Sequence, residues 1–372
     1  MTDAPLVADP LHSRRARLNR RRLLGALVGL PLTGWAGRSL AGVAQTLPPA
    51  NLAAVFPNDI TAVIAGQDGG NTDAWARVIL AGLAQSLPSG TQLRGLATGA
   101  ADGVTGANQF ETRTGPDGAR LLVVPGAAAL AWMVGDPRAQ FDVGHWVPVI
   151  AGVSPGVVAL RGRLAPGQKI RVATASPVGP ELAALLAVDL LGAQPVPVLG
   201  LMDDAAVRDA LEKGRVDGVL LRGRRVADQV AAMSAMGVPP VFSLGASNDG
   251  GATARDPQFP DLPHFAELLT VSRPEAASGP LFDAWRAVAA ATRLEFAVVL
   301  PQLTPAAMVA QWRRAGSEAA AAPELAKAAS DQMVRALGGA AGAAEIAAVA
   351  AEANTLLELR RWLGARLGWH PS

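Results

Sequence analysis

A glycine pair followed by Asn71-Thr72-Asp73 stands inside the run Ala65 to Leu80, AGQDGGNTDAWARVIL, and its residue types suit ligand chemistry. The preceding run Ile60-Thr61-Ala62-Val63-Ile64 is short, β-branched and apolar, as in a buried strand. Ala76, Val78, Ile79, Ala81, Gly82 and Leu83 after it suit the face of a helix. The stretch therefore reads as a strand, a glycine turn and a helix start. Such a turn exposes unpaired backbone N–H groups at the positive end of a helix dipole, where a carboxylate fits. A plainer reading has Asn71 or Thr72 capping the helix and Gly69-Gly70 only turning the chain. The glycines at 66, 69 and 70 form neither GxGxxG nor GxxxxGK, and no Lys follows, so no dinucleotide fingerprint or phosphate loop is expected.

Other catalytic chemistry is scarcely represented. The four His, His12, His145, His264 and His370, show no HExxH or other metal-pair spacing and read as structural or solvated. The chain contains no Cys, which excludes disulfides, thiolate metal sites, a thiol nucleophile and a lipoprotein anchor. The expectation is no metal, no cofactor and no enzyme. An exported enzyme using carboxylates such as Asp73 and Asp217 for acid/base work stays as an alternative, although no paired constellation supports it and Asp73 suits the helix dipole.

The formal charge of +2 on 372 residues is misleading, because the basic residues concentrate at the N-terminus. A basic segment ends in Asn19-Arg20-Arg21-Arg22-Leu23-Leu24, a weakly apolar stretch follows, and small residues close it at RSLAGVA. That order describes an export signal, and the paired arginines resemble the twin-arginine consensus. Gly25, Gly29, Pro31, Gly34 and Gly37 interrupt the apolar stretch and argue against a membrane anchor. With residues 1–44 as a cleaved signal, seven Arg and two Asp leave, and the remaining chain carries about −3. Nucleic acid, which needs clustered positive charge, is thereby disfavoured as a partner.

The elements that must hold the glycine turn alternate between strand and helix patterns. Strands are expected over 60–64, 92–96, 119–124, 147–153, 157–160, 169–173, 196–199, 218–221 and 241–244. Helices are expected over 73–85, 179–191, 203–213, 225–236, 279–293, 305–321, 323–337 and 343–367. This alternation predicts α/β layers with largely parallel sheets. The helical C-terminal region is expected to cap the first domain. Breaks at Pro155-Gly156 and within Ser243 to Asp256 set off an inserted α/β domain over 157–244, with domain 1 formed by 45–156 and 245–372. A cleft between two such domains is a usual ligand site.

Several short motifs occur in a telling order. They are Gly69-Gly70-x-x-Asp73-x-x-Ala76-Arg77; Gly103-x-x-Gly106-Ala107; Pro116-Asp117-Gly118-x-x-Leu121-Leu122; and Phe141-Asp142 with Trp146-x-Pro148-Val149. Further along come Ser176-Pro177-x-Gly179, Gly214-Arg215-Val216-Asp217, Phe259-Pro260-Asp261-Leu262-Pro263 with Glu267, and Leu300-Pro301 with Thr304-Pro305. The series resembles the Bug-type periplasmic solute receptors of tripartite tricarboxylate transporters and covers nearly the whole chain after the signal.

The resemblance implies a two-lobed periplasmic binding-protein fold of type II kind, with two Rossmann-like α/β domains joined by two crossover segments. It implies a periplasmic, monomeric receptor that captures a small organic carboxylate and delivers it to membrane subunits of a tripartite transporter. In the family, backbone amides and ordered water hold the ligand carboxylate. Carried over by position, the ligand-binding residues are Gln67, Asp68, Gly69, Gly70, Asn71, Thr72, Asp73, Gly126 and Ala127 on one lobe, and Ser176, Pro177, Val178 and Gly179 on the other. Closure is expected as a hinge motion near Val153 to Leu160 and Val241 to Leu244.

Departures from the family shape the expected ligand. Gly66 and Gln67, followed by Asp68, stand where the family carries an aromatic and a proline, and Asp68 would repel a dicarboxylate. Pro180 replaces a hydroxyl donor, while Arg222, after Val219-Leu220-Leu221, could pair with a carboxylate or simply be solvated. Between Glu267 and Leu300 the helical insertion is longer than in the commonest members. The expectation is a monocarboxylate or a zwitterion. A receptor presenting ligand to a sensor, or an exported scaffold with an inactive cleft, are the other readings.

Overall fold

The computed structural model describes residues 56–247 and 252–370. The expected signal over residues 1–44 lies outside the described residues. From the N-terminal side the chain runs β1 (Asp59–Ala65), α1 (Asn71–Ser86), β2 (Gln92–Thr98), α2 (Val104–Arg113), β3 (Arg120–Val124), α3 (Gly126–Val134) and β4 (Val147–Val153). It continues through β5 (Gly156–Leu160), β6 (Lys169–Ala173), α4 (Leu182–Leu190), β7 (Gln194–Val198), α5 (Asp204–Glu212), β8 (Gly218–Arg222), α6 (Val226–Ala235) and β9 (Pro240–Ser243). A short pair, β10 (Ala246–Ser247) and β11 (Thr253–Ala254), leads into α7 (Phe265–Ser272), α8 (Pro280–Arg293) and β12 (Leu294–Leu300). The chain closes with α9 (Ala306–Ala321), α10 (Pro323–Asp331), β13 (Arg335–Gly338), α11 (Gly339–Ala347) and α12 (Ala353–Leu367).

Two mixed sheets organise these elements. The first has the order β13-β4-β12-β3-β1-β2 and the second β7-β6-β8-β5-β9. In the first, β1 pairs in parallel with β2 and β3, and β12 runs antiparallel between β3 and β4. In the second, β6 is parallel to β7 and β8, and β5 is antiparallel to β8 and β9. The inner strands read as near-continuous apolar runs because helices cover both faces: Arg-Leu-Leu-Val-Val in β3 is buried from Leu121 onward. Edge strand β2, Gln-Leu-Arg-Gly-Leu-Ala-Thr, has no fully buried residue. The chain passes from the first sheet to the second through Ser154 and Pro155, and it returns after β9. The result is two Rossmann-like α/β lobes joined by two crossovers, as expected.

One face of the first sheet packs on α1 and α9, where Ile79, Leu83 and Trp312 are wholly buried and Trp75 lies 4.9 Å from Phe296 between ring centroids. The other face packs on α2, α3, α8 and α11, with α12 set against α3 and α8. This apolar core does not stop at the lobe: it runs through Trp285 and Phe265 into Leu185 and Leu186 of α4 and Val158 and Ile170 of the second sheet. Polar bonds follow the same route. The Trp285 indole N–H donates to the Ala183 carbonyl at 3.1 Å, the Trp362 indole N–H to Asp189 at 2.8 Å, and Arg366 pairs with Asp189 at 3.0 Å. The C-terminal helix α12 therefore braces both lobes, where the sequence suggested a cap on the first alone.

Most of the other differences concern the second half of the chain. Strand β12 continues directly from α8 and was not expected. The helix expected over 323–337 ends at Asp331, because Met333 takes a positive φ of 58° and turns the chain into β13. The helix expected over 343–367 is two helices, α11 and α12, separated near Ala348 to Glu352. Helices α2, α3 and α7 were not anticipated either.

Where α8 gives way to β12, Arg293 reaches Glu345 of α11 at 2.9 Å, with side chains only 7% and 1% exposed. The Ser154 amide donates to the Arg293 carbonyl at 2.9 Å, and the Ser247 amide donates to Glu345 at 3.3 Å. Breaking a buried pair on one side strands the other charge in low dielectric. Glu345→Ala is expected to lower unfolding stability by about 3–5 kcal/mol, read as an earlier urea midpoint. The double variant Arg293→Met/Glu345→Leu is expected to recover most of that loss.

Candidate functional site

Two strands of the first sheet, β1 and β3, end side by side and feed directly into α1 and α3. Ligands of open α/β sheets bind outside such strand C-termini. The turn after β1 begins with Gly66, whose amide reaches the Ile64 and Thr98 carbonyls at 2.9 and 3.1 Å. It closes with the Gly70 amide on the Gln67 carbonyl at 3.0 Å. Gly69 takes a φ of 71°, which an L side chain would strain. Gly70 is the N-cap of α1 and Pro125 that of α3, and neither helix receives a side-chain cap. The first amides of both helices are thus left as donors at positive dipole ends. Gly126 is required for another reason: a Cβ there would sit 2.0 Å from the Ala291 carbonyl of α8.

These two helix starts share a cleft of about 160 Å³. Gly66, Gln67, Gly70, Asn71 and Thr72 line it from the first turn, Ala101 from the loop after β2, and Pro125, Gly126, Ala127 and Leu130 from α3. The second lobe contributes Pro180 and Arg222, and the α8–β12 junction, which adjoins the start of α3, adds Ala291, Leu294 and Glu295. Arg222 donates to the Thr292 carbonyl at 3.1 Å, and the Thr292 hydroxyl donates to the Pro180 carbonyl at 3.2 Å. Behind Arg222 lies Glu181, one of whose carboxylate oxygens is buried without a partner. Burial pushes this carboxyl up, against the pull of Arg222. A larger hollow of about 310 Å³ lies between α8 and α12, but its arginines are already engaged, Arg286 with Asp283 at 3.7 Å and Arg293 with Glu345 at 2.9 Å.

Of the residues expected at the site, the structure brings Gln67, Gly70, Asn71, Thr72, Gly126, Ala127 and Arg222 to the cleft. The others lie off it. Asp68 is 86% exposed at its side chain and pairs with Arg77 at 3.2 Å. Gly69 shapes the turn and donates its amide to Asp73 at 3.0 Å. Ser176, Pro177, Val178 and Gly179 form a tight turn of their own: the Ser176 hydroxyl accepts from the Val178 amide at 3.3 Å, and the Ser176 carbonyl accepts from Gly179 at 3.3 Å. Only the next residue, Pro180, reaches the cleft. Gly66, Ala101, Pro125, Leu130, Ala291, Leu294 and Glu295 were not anticipated. For Glu295 a signal existed in the sequence, since it is the one charge in the apolar run Leu294 to Leu300.

The carboxylates considered for acid/base work are tied up in ion pairs. Arg77 binds Asp73 through two nitrogens at 3.0 and 2.7 Å and holds its carboxyl below the usual carboxylate range. Arg171 does the same to Asp217 at 2.8 and 2.6 Å. His145 bonds Glu111 at 2.7 Å, which pulls its pKa up. His264 caps α7 by accepting from the Glu267 amide at 3.4 Å, and burial pulls its pKa down. Among the described residues no group of three or more His, Asp or Glu could hold a metal ion. Asp73 is therefore a strut that fixes the glycine turn against the first turn of α1. Its folded pKa lies below the unfolded value, so its contribution is present above about pH 4 and is lost as pH falls through the depressed value. Asp73→Asn is expected to destabilise the protein by about 1–2 kcal/mol near pH 7, with the gap to wild type narrowing below pH 4 in acid-unfolding curves.

No protein-family model and no curated protein matches the sequence. Solved structures do. A TctC solute-binding protein from Polaromonas, solved without ligand, matches with a TM-score of 0.60 at 15% identity, covering 81% of this chain and 98% of its own. The periplasmic binding protein BugD matches at 0.47 and 17% identity over 84% of this chain and 99% of its own. MatC from Rhodopseudomonas palustris, with bound malate, matches at 0.45 and 20% over 83% and 98%. The chain has the two-lobed periplasmic binding-protein fold, in the form adopted by the Polaromonas TctC protein.

Proposed function

We propose that this chain is an exported solute-binding receptor that captures a small organic carboxylate in the cleft between its lobes. The observation that carries the reading is the convergence of two uncapped helix N-termini, α1 and α3, with the Arg222 guanidinium around one small cavity. Backbone donors cost little to organise because the fold has already fixed them, and they are complementary to a carboxylate's acceptor-only oxygens. The likeness in fold to a TctC solute-binding protein supports the same reading.

In this reading the twin-arginine segment exports the chain to the periplasm, and the loaded monomer hands its solute to the membrane subunits of a tripartite transporter. Residues 157–244 move as one lobe about Ser154–Pro155 and the segment after β9. The packing of α8 and α12 against α4 is the pivot of that motion, because it is the buried apolar contact that the two lobes share. Gln67, Gly70, Asn71, Thr72, Gly126 and Ala127 hold the carboxylate from one side and Arg222 meets it from the other. An enzymatic role is disfavoured because Asp73 and Asp217 are held ionised by Arg77 and Arg171, outside the cleft.

Isothermal titration of the purified protein with short mono- and dicarboxylates tests the proposal. A saturable site for at least one carboxylate is expected, with a rise in melting midpoint by mass action. Loss of a charge-assisted hydrogen bond is worth about 1.5–3 kcal/mol, so Arg222→Ala should weaken that binding roughly tenfold to a hundredfold. Binding that Arg222→Ala leaves unchanged would remove Arg222 from the site. Absence of binding by every carboxylate to the folded protein would overturn the proposal. Small-angle scattering should show a smaller radius of gyration with ligand; an unchanged radius would count against hinge closure.

A further inference from the structure

The charge in the cleft is divided in an unusual way for a site that takes an anion. Among its lining residues only Arg222 and Glu295 are ionisable, so the walls sum to zero. Glu295 is the second residue of β12 and lines the cleft beside Leu294 and Ala291. Its recorded partner is neutral: the Ser154 hydroxyl donates to Oε1 at 2.8 Å. Among the described residues Glu295 forms no ion pair, unlike Asp68, Asp73 and Asp217. Ser154 is itself 2% exposed and anchored through its amide to the Arg293 carbonyl. Glu295 is thus held at the cleft by a buried residue of the crossover, with no ion-pair partner among the described residues.

A carboxylate is an acceptor only and repels a second carboxylate at close range. A ligand with two acid groups would satisfy the helix starts and Arg222 with one and bring the second into a small cleft that already holds the Glu295 charge. A ligand with an ammonium group in place of the second acid would match both. Size points the same way: a cavity of about 150 Å³ accommodates benzene, and this cleft of about 160 Å³ suits a molecule of similarly few heavy atoms.

We infer that Glu295 is a specificity-determining residue that binds the ammonium group of a small zwitterionic amino carboxylate, whose carboxylate lies against the amides of α1 and α3. The inference rests on the receptor reading above and narrows its substrate class. The negative charge that the sequence suggested at Asp68 is outside the cleft, and Glu295 takes that role from an unanticipated position.

The test is titration of the purified protein with length-matched probes: 4-aminobutanoate, butanoate and succinate, and likewise alanine, propanoate and malonate. At least one amino carboxylate is expected to bind tenfold or more tightly than its amine-free match, with the dicarboxylates weakest. Glu295→Gln keeps an oxygen for the Ser154 hydroxyl but removes the charge. It should weaken the amino carboxylate about tenfold or more and leave the monocarboxylate unchanged or improved, while Glu295→Asp retains the preference. An unaltered melting midpoint without ligand shows that the variant is folded. Monocarboxylate binding with no preference for the amine, a preference for a dicarboxylate, or a Glu295→Gln protein that discriminates as wild type does would each overturn the inference and leave the carboxylate receptor standing. Silence of all six probes on the folded protein would overturn both.

Discussion

Backbone N–H groups at a helix start must find acceptors, and a Ser, Thr, Asp or Asn side chain at the N-cap is one way to supply them. At α1 and α3 the capping positions are Gly70 and Pro125, which have no side chain able to do so. The donors that this leaves open are aimed into one cleft because β1 and β3 are neighbours in a parallel pair. Much of the rest of the first lobe serves this arrangement. Asp73, which could have been a ligand-binding carboxylate, instead takes the Gly69 amide and the Arg77 guanidinium and locks the turn. Gly126 brings α3 so close to the end of α8 that no Cβ fits.

The junction of α8 and β12 is where the lobes, the cleft and the core meet. Arg293 fixes α11 through Glu345 and the crossover through Ser154, and Ser154 in turn holds Glu295. On the far side of the same helix, Thr292 accepts from Arg222 and donates to Pro180, which ties the second lobe's contributions to the first. The continuous core from Phe265 and Trp285 into α4 keeps these pieces in register.

Sequence patterns made the strands and the glycine turn of the first half readable, although not α2 and α3. A β-branched run, a glycine turn and an amphipathic stretch occur together at residues 60–83, and the local chemistry agrees with the tertiary outcome. Arg222 was likewise visible as a charge closing an apolar strand. The second half was harder because its turns lack their usual punctuation. The chain reverses at Met333 in a left-handed conformation that glycine normally marks, and Ala-rich segments around it have high helix propensity that packing overrides. Strand β12 grows out of α8 with no Gly or Pro between them, so its start, and with it Glu295, was hidden within an apolar run. The turn at Ser176 to Gly179 has the composition of a ligand loop, but the Val178 and Gly179 amides are spent on the Ser176 hydroxyl and carbonyl within the turn.

A crystal structure of the protein grown with a saturating short carboxylate would address the clamp most directly, because it locates the oxygens rather than inferring them. The expected result is a carboxylate in the cleft with N···O distances of about 2.7–3.2 Å to amides at the starts of α1 and α3. A carboxylate bound elsewhere, or one in the cleft held by side chains while those amides face away from it, would contradict the proposal that uncapped helix starts are the binding machinery.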